Sequence, residues 1–204
     1  MVRYAEWDPV RRRQGQRAAS EAAGCDVGID VDLQELTIVH YPDPCLRKVC
    51  EPVTRFDEDL AAFAARMVEL MHAGKGVGLA APQVGVLKRL FVMNPTGEQG
   101  DDHIFINPEI RDMQGNKEGE EGCLSIPDVY VQVRRAVRCR IVGQNPAGEP
   151  VEIELEELPA RICQHETDHL NGILILDRCG PGDRIKVRKR LRELELAFKS
   201  RGPR

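Results

Sequence analysis

The stretch QHETDHLNG (164–172) sets two histidines four residues apart, with a glutamate directly after the first. On a helix, positions i and i+4 lie on one face. Two imidazoles one turn apart can share a divalent cation. Glu166 sits about 100° further round the helix, where it can act on water at that cation without being a ligand. The bland alternative is a pair of hydrogen-bonded core histidines beside a surface glutamate. A catalytic metal site needs a further protein ligand and keeps one position open for water. Cys, His, Asp or Glu elsewhere in the chain are the candidates. The glycine-flanked EEGCLSIP (120–127) offers Cys123, whose thiolate is a strong ligand for a divalent transition metal.

These side chains need elements to hold them. A helix is predicted from about Leu158, with Pro159 in its first turn, where a missing N–H is harmless, to Asn171-Gly172. Leu158, Ile162, His165 and His169 share the face that this helix should bury. Earlier, Leu60, Phe63, Ala64, Met67, Leu70 and Met71 recur at helical spacing, with Asp57 as N-cap and Gly74 and Gly76 as the stop. Residues 37–53 begin strand-like and then become extended and turn-rich, with prolines at 42, 44 and 52. Residues 90–94 and 104–107 read as strands, each ended by an Asn-Pro pair. A hairpin follows. Val137, Cys139 and Ile141 alternate with Arg138 and Arg140, while Val151, Ile153 and Leu155 alternate with Glu152, Glu154 and Glu156. Cross-strand ion pairs on the polar face should help to set its register. From Asp183 a basic stretch with Ile185, Arg188, Leu191, Leu194 and Phe198 in a stripe predicts a C-terminal helix.

The 204 residues suffice for one domain with a small appendage. Residues 1–34 read as a flexible extension, without the apolar run of a secretory signal. Residues 35–182 carry the chemistry, and 183–204 form the basic helix. A net charge of -4 gives no global argument for nucleic acid or membrane as partner, and 4% aromatic residues argue against a base-stacking platform. No apolar run is long enough to predict a transmembrane helix. Seven cysteines, an odd number with no CxxC pair, point to reduced thiols in a cytosol.

GVGLAAPQVG (76–85), EGCLS (121–125) and QHETDHLNG resemble, in order and spacing, the three signature segments of bacterial peptide deformylases. The similarity runs from about residue 35 to about residue 180. Together with the hairpin, it implies an α+β fold whose antiparallel and mixed sheets wrap around the helix bearing H-E-x-x-H, followed by a C-terminal helix. It also implies a cytoplasmic hydrolase that removes the formyl group from N-formylmethionyl nascent peptides and releases formate. One divalent metal ion would be held by Cys123, His165 and His169 with water as fourth ligand. Fe(II) is implied in the cell, with Zn(II), Ni(II) or Co(II) able to substitute.

The remaining roles also come from the resemblance. Glu166 would carry the proton from water to the leaving amine. The Gln83 side-chain amide and the Leu124 backbone N–H would stabilise the charge that gathers on the formyl oxygen. Val77 and Gly78 on one side, and Gly122 on the other, would hold the substrate backbone as an added strand. Val77, Leu158, Ile162 and the flank of His165 would wall the methionine pocket, with the stem of Arg161 beside them and its head in solvent. Glu121 and Arg135 would pair behind Cys123, and Asp168 would support a ligand or bond nearby backbone. His40, His72 and His103 receive no functional role.

Three rivals stand against this reading. An H-E-x-x-H zinc endopeptidase normally takes its third ligand from downstream. A zinc deaminase needs a P-C-x-x-C segment that the chain lacks. A metal- or ribosome-binding module without activity would need neither Gln83 nor Glu166. The C-terminal helix has two readings of its own: it packs on the domain, or its basic face docks on ribosomal RNA.

Overall fold

The run LFVM is apolar at every position, and the fold covers both of its faces. Leu90 and Val92 join one core cluster, and Phe91 and Met93 join another. The computed structural model describes residue 29 and residues 31–201, so the flexibility expected of residues 1–34 lies largely outside the described residues. Within them a five-stranded antiparallel sheet has the order β1 (Gly78–Ala80), β2 (Leu90–Met93), β3 (His103–Gln114), β6 (Arg138–Gln144), β7 (Pro150–Glu156). The strands β4 (Lys117–Cys123) and β5 (Ile126–Arg135) form a separate antiparallel hairpin.

The helix α1 (Glu58–Ala73) lays Phe63, Ala64, Met67 and Met71 on one face of the large sheet. Its N-cap is Asp57, whose carboxylate accepts the Leu60 N–H at 3.0 Å. The other face receives α2 (Glu157–Leu170), through Ala160, Ile162, Cys163 and Leu170 against Phe91, Phe105, Cys139 and Ile141. The hairpin closes over α2 from the far side. A third cluster joins Val129, Val131 and Val133 of β5 to Leu174, Ile175 and Leu176 around α3 (Ile175–Arg178) and to Leu194 of α4 (Pro181–Arg201). The helix bearing H-E-x-x-H is thus enclosed by sheet on one side and hairpin on the other, the α+β layout expected. No helix among the described residues is long and apolar enough to cross a membrane.

Several local expectations change. Residues 37–40 form no strand; Val39 N–H bonds the Gln83 carbonyl at 2.7 Å, and Tyr41 N–H bonds the Ser125 carbonyl at 2.8 Å. Asn107-Pro108 does not end β3. The strand absorbs the proline at a register shift, with Asn107 at φ 51, and runs on to Gln114. The stop after α1 also works differently. Gly74 stays right-handed at φ -76, and Lys75 takes the left-handed turn at φ 56. Gly76 answers to space instead, since a Cβ there would lie 2.6 Å from Leu124 Cδ1.

The β6–β7 hairpin pairs Arg138 with Glu156 and Arg140 with Glu154 in register, and Arg140 forms ion pairs with Glu152, two residues along β7, and with Asp112 of β3. In α4 the packed stripe is Val187, Leu191 and Leu194, while Ile185 is 70% exposed. Cys50, Cys139 and Cys163 are buried, and these, Cys123 and Cys179 are thiols.

Candidate active site

On α2, Arg161, Gln164, His165 and Asp168 recur at i, i+3, i+4 and i+7, which puts them on the face turned to the hairpin. Each bonds it or the residue just past it. One turn on, His169 faces Cys123 at the end of β4. Cys123 Sγ lies 3.3 Å from His169 Nε2, and the two Nε2 atoms lie 3.2 Å apart. All three donor atoms fall within 4.8 Å of one another.

Glu121 sets the tautomer of His165. Its Oε2 accepts His165 Nδ1–H at 3.0 Å; burial opposes a charge on the ring, but the bonds to Cys123 and Glu121 outweigh it and hold the His165 pKa well above the ordinary imidazole range, so Nε2 is the nitrogen that would give up its proton to take a metal. The same carboxylate takes a bidentate bond from Arg135 at 3.0 and 2.9 Å and a bond from Arg161 Nη1 at 2.8 Å. Burial opposes its charge, but the bonds from His165 and Arg135 win and hold its pKa at about 2. Burial also keeps His169 neutral, as a ligand must be. A thiol and two imidazoles, with one ring oriented by a buried carboxylate, are a donor set that fits a divalent transition metal.

Glu166 is 3% exposed, and its Oε2 has no hydrogen-bond partner. Burial pushes its carboxyl up to about 7, into the range where a group can give and take protons near neutrality. Its Oε1 lies against Gly78 of β1; a Cβ on Gly78 would sit 2.3 Å away. Gln83 occupies a 3-10 turn, Ala81–Val84. Its Oε1 accepts the Ala80 N–H at 2.8 Å, which fixes the amide and turns Nε2 toward Ser125 Oγ at 3.2 Å and Cys123 Sγ at 3.5 Å.

A cavity of about 520 Å³ opens in front of these groups. Val77, Gly78, Gln83, Gly122, Cys123, Leu124, Leu158, Arg161, Ile162, His165 and Glu166 line it; His169 does not. β1 is the outer strand of its sheet, so its second edge is not paired to another strand of that sheet. Two apolar side chains at the cavity, Val77 and Leu158, are 43% and 48% exposed.

Some expected positions differ. Leu158 is not buried with the histidines: it is exposed at the cavity, while Pro159 and Ala160 of the same turn are buried. The Arg161 head does not reach into solvent: it bonds Glu121, the Val133 carbonyl at 2.9 Å and the Lys117 carbonyl at 2.8 Å. Asp168 contacts neither histidine by hydrogen bond; it pairs with Arg135 and, at 3.0 and 2.6 Å, with Arg178. His72 and His103 pair with Asp102 and Asp101, and neither lines the cavity. Ser125, Arg178 and the grip of Glu121 on His165 were not foreseen. For Glu121 a signal exists, since it precedes Cys123 by two residues and so shares its face of β4.

A buried H-E-x-x-H helix, a thiol completing the ligand set and a cleft beside an unpaired strand edge define a metal-dependent hydrolase. Residues 35–184 match the polypeptide deformylase family, a family of metal-dependent enzymes, and the chain belongs to it. The peptide deformylase of Thermotoga neapolitana is 49% identical over 79% of this chain and 96% of its own length. That of Thermotoga maritima is 47% identical over 78% and 96%. Among solved structures, a Plasmodium falciparum peptide deformylase superposes with TM-score 0.79 at 38% identity, covering 82% of this chain and all (100%) of that one. A Thermotoga maritima peptide deformylase gives 0.69 at 48% identity, covering 72% and 98%. Neither the endopeptidase nor the binding-module reading is favoured by this kinship.

Proposed function

We propose that the chain removes the formyl group from N-terminal N-formylmethionine of nascent polypeptides and releases formate. The observation that carries this is the buried Glu166 carboxylate, with its Oε2 unpartnered, beside the Cys123, His165 and His169 donor atoms, in a cleft bordered by a strand edge. Cys123, His165 and His169 would hold a divalent metal, which would supply Lewis acidity beside Glu166. Glu166 accepts the proton of the attacking water and returns it to the amine nitrogen as the C–N bond breaks. Gln83 Nε2, its aim fixed by Ala80, and the Leu124 N–H donate to the formyl oxygen, each contributing about 3 kcal/mol as charge develops there.

The substrate backbone adds along Val77 and Gly78 and faces Gly122 across the cleft. Its methionine side chain rests on Val77, Leu158, Ile162, the His165 ring and the stem of Arg161. Burying such a side chain is worth about 1.5–3 kcal/mol.

The same reading makes Fe(II) the cellular metal, with Zn(II), Ni(II) and Co(II) as substitutes that a Cys-His-His set accepts. It makes residues 35–182 the catalytic unit, working in the cytoplasm on nascent chains, with neither DNA nor membrane as partner. It also gives α4 a second face. Val187, Leu191 and Leu194 pack inward while Lys186, Arg188, Lys189 and Arg192 are exposed, which supports docking on ribosomal RNA with a steep dependence on salt.

The test is formate release from N-formyl-Met-Ala-Ser by protein prepared without oxygen and loaded with Fe(II) or Ni(II). Activity that vanishes in Glu166→Ala while metal stays bound supports the reaction and the base together. An intact, metal-loaded wild type that releases no formate in any metal form refutes the reading.

A further inference from the structure

The three metal donors come from two units with no strand pairing between them. Cys123 belongs to the β4–β5 hairpin, and His165 and His169 to α2, which packs on the large sheet. Their mutual distance therefore depends on what fastens the helix to the hairpin.

Arg161 reaches three acceptors on that hairpin at once. Its Nη1 donates to Glu121 Oε1 at 2.8 Å and to the Val133 carbonyl at 2.9 Å, and its Nη2 donates to the Lys117 carbonyl at 2.8 Å. Lys117 lies on β4 and Val133 on β5, so one guanidinium spans both strands. Arg161 stands one helical turn before His165, and both hold the same Glu121 carboxylate: Arg161 by Oε1, His165 by Oε2. That carboxylate is 5% exposed, and Cys123 follows it by two residues on β4. The strand also makes room for the guanidinium. A Cβ on Gly119 would lie 2.9 Å from Arg161 Nη2 and 3.0 Å from its Cζ.

We propose that Arg161 is a positioning residue for the metal centre: it clamps α2 to the hairpin through Glu121 and so fixes His165 opposite Cys123, with Gly119 as the seat of its guanidinium. This rests on the metal-site reading above. It adds a function for Arg161 beyond the contact of its stem with substrate. Arg135 holds Glu121 from the strand that pairs with β4 and reaches α2 through Asp168, whereas Arg161 holds the same Glu121 carboxylate as His165 does, from the helix that carries the histidines.

The test uses two perturbations that reach the clamp from opposite sides. Arg161→Met keeps the stem and removes the guanidinium. Gly119→Ala changes no charged group and displaces the guanidinium by contact, and it keeps the test open if Arg161→Met does not fold. The readout is loss of Co(II) to a chelator, followed through the thiolate–Co(II) absorption band, in the wild type, both single variants and the double variant.

Each single variant should lose Co(II) about tenfold faster, because residues that orient a metal ligand carry effects of about 10–100-fold. The double variant should be no worse than the weaker single, since both remove one interaction. In Arg161→Met, kcat should fall more than KM rises, because the pocket wall is kept. Wild-type Co(II) retention in both variants overturns the clamp, even if both melt at lower temperature. So does a double variant whose losses multiply. A wild type that binds no Co(II) overturns the metal site and the clamp together.

Discussion

Gly78→Ala places one methyl group between the strand that borders the cleft and the proposed catalytic base. The new Cβ would lie 2.3 Å from Glu166 Oε1, 2.8 Å from Glu166 Cδ and 2.9 Å from Ile162 Cγ2. Ordinary contact between non-bonded heavy atoms is about 3.5 Å, so the carboxylate must move by roughly 1 Å. Gly78 does not have a positive φ, so the backbone accepts alanine and the cost is contact alone. Overpacking of this size destabilises by about 1–3 kcal/mol. Misplacement of a reacting group by about 1 Å costs about 100-fold in rate. The three atoms nearest the new methyl belong to Glu166 and Ile162, not to the metal donors.

The expected result is therefore a kcat about two orders of magnitude down, KM changed far less, full metal content and a modestly lower Tm. Initial rates of formate release, metal analysis and a thermal melt measure all four. A Gly78→Ala enzyme within about threefold of wild-type kcat would refute the reasoning, because the carboxylate could then be displaced by about 1 Å without consequence for proton transfer.

Other outcomes follow from the same geometry. Gln83→Leu removes a donor to the formyl oxygen and should lower kcat by about 10²–10³; it also strips the Ala80 N–H of its acceptor, so a melt should show a loss of about 1–3 kcal/mol. Arg135→Met leaves Glu121 and Asp168 short of a partner inside the protein and should cost about 3–5 kcal/mol by denaturant titration. Removing metal with a chelator should abolish activity and lower Tm, with both restored when Ni(II) is returned. Burial pushes the Cys50 thiol from 9.0 up to about 11. Its folded pKa is the higher one, so stability is lost as pH rises from 9 through about 11, and Cys50→Ala should flatten that alkaline fall.

The elements that repeat one chemical pattern were legible in the sequence. α1 follows from its apolar spacing and the Asp57 cap, and β6–β7 from opposite charges facing across strands. The β4–β5 hairpin was not legible on the β4 side. Glu118, Glu120 and Gly122 alternate with Lys117, Gly119 and Glu121, and an inward-facing glutamate reads as surface until its arginines are placed. On β5, Val129, Val131 and Val133 carry a period of two, the one local signal of this hairpin. The ligand set shows the same division. H-E-x-x-H declares itself because a helix brings i and i+4 together, whereas Cys123 and Glu121 meet the histidines across 44–46 residues of chain. No local period encodes that meeting; the glycine-flanked EEGCLSIP offers Cys123 as a candidate and the family resemblance selects it, while tertiary contact supplies the grip of Glu121 on His165.

α2 takes its two chemical duties from two different neighbours. Glu166 is placed from the side of the large sheet, where Gly78 leaves room for its carboxylate. His165 is placed from the hairpin side, where Glu121 takes its Nδ1 and Arg161 holds Glu121. Adjacent residues on a helix point about 100° apart, so consecutive side chains can answer to opposite walls. It follows that the base and the metal can be disturbed separately. A methyl on Gly78 should spare the metal and harm proton transfer, and a methyl on Gly119 should loosen the metal while leaving the carboxylate in place. The two glycines face different partners, Glu166 and Arg161, so their effects on kcat should combine independently.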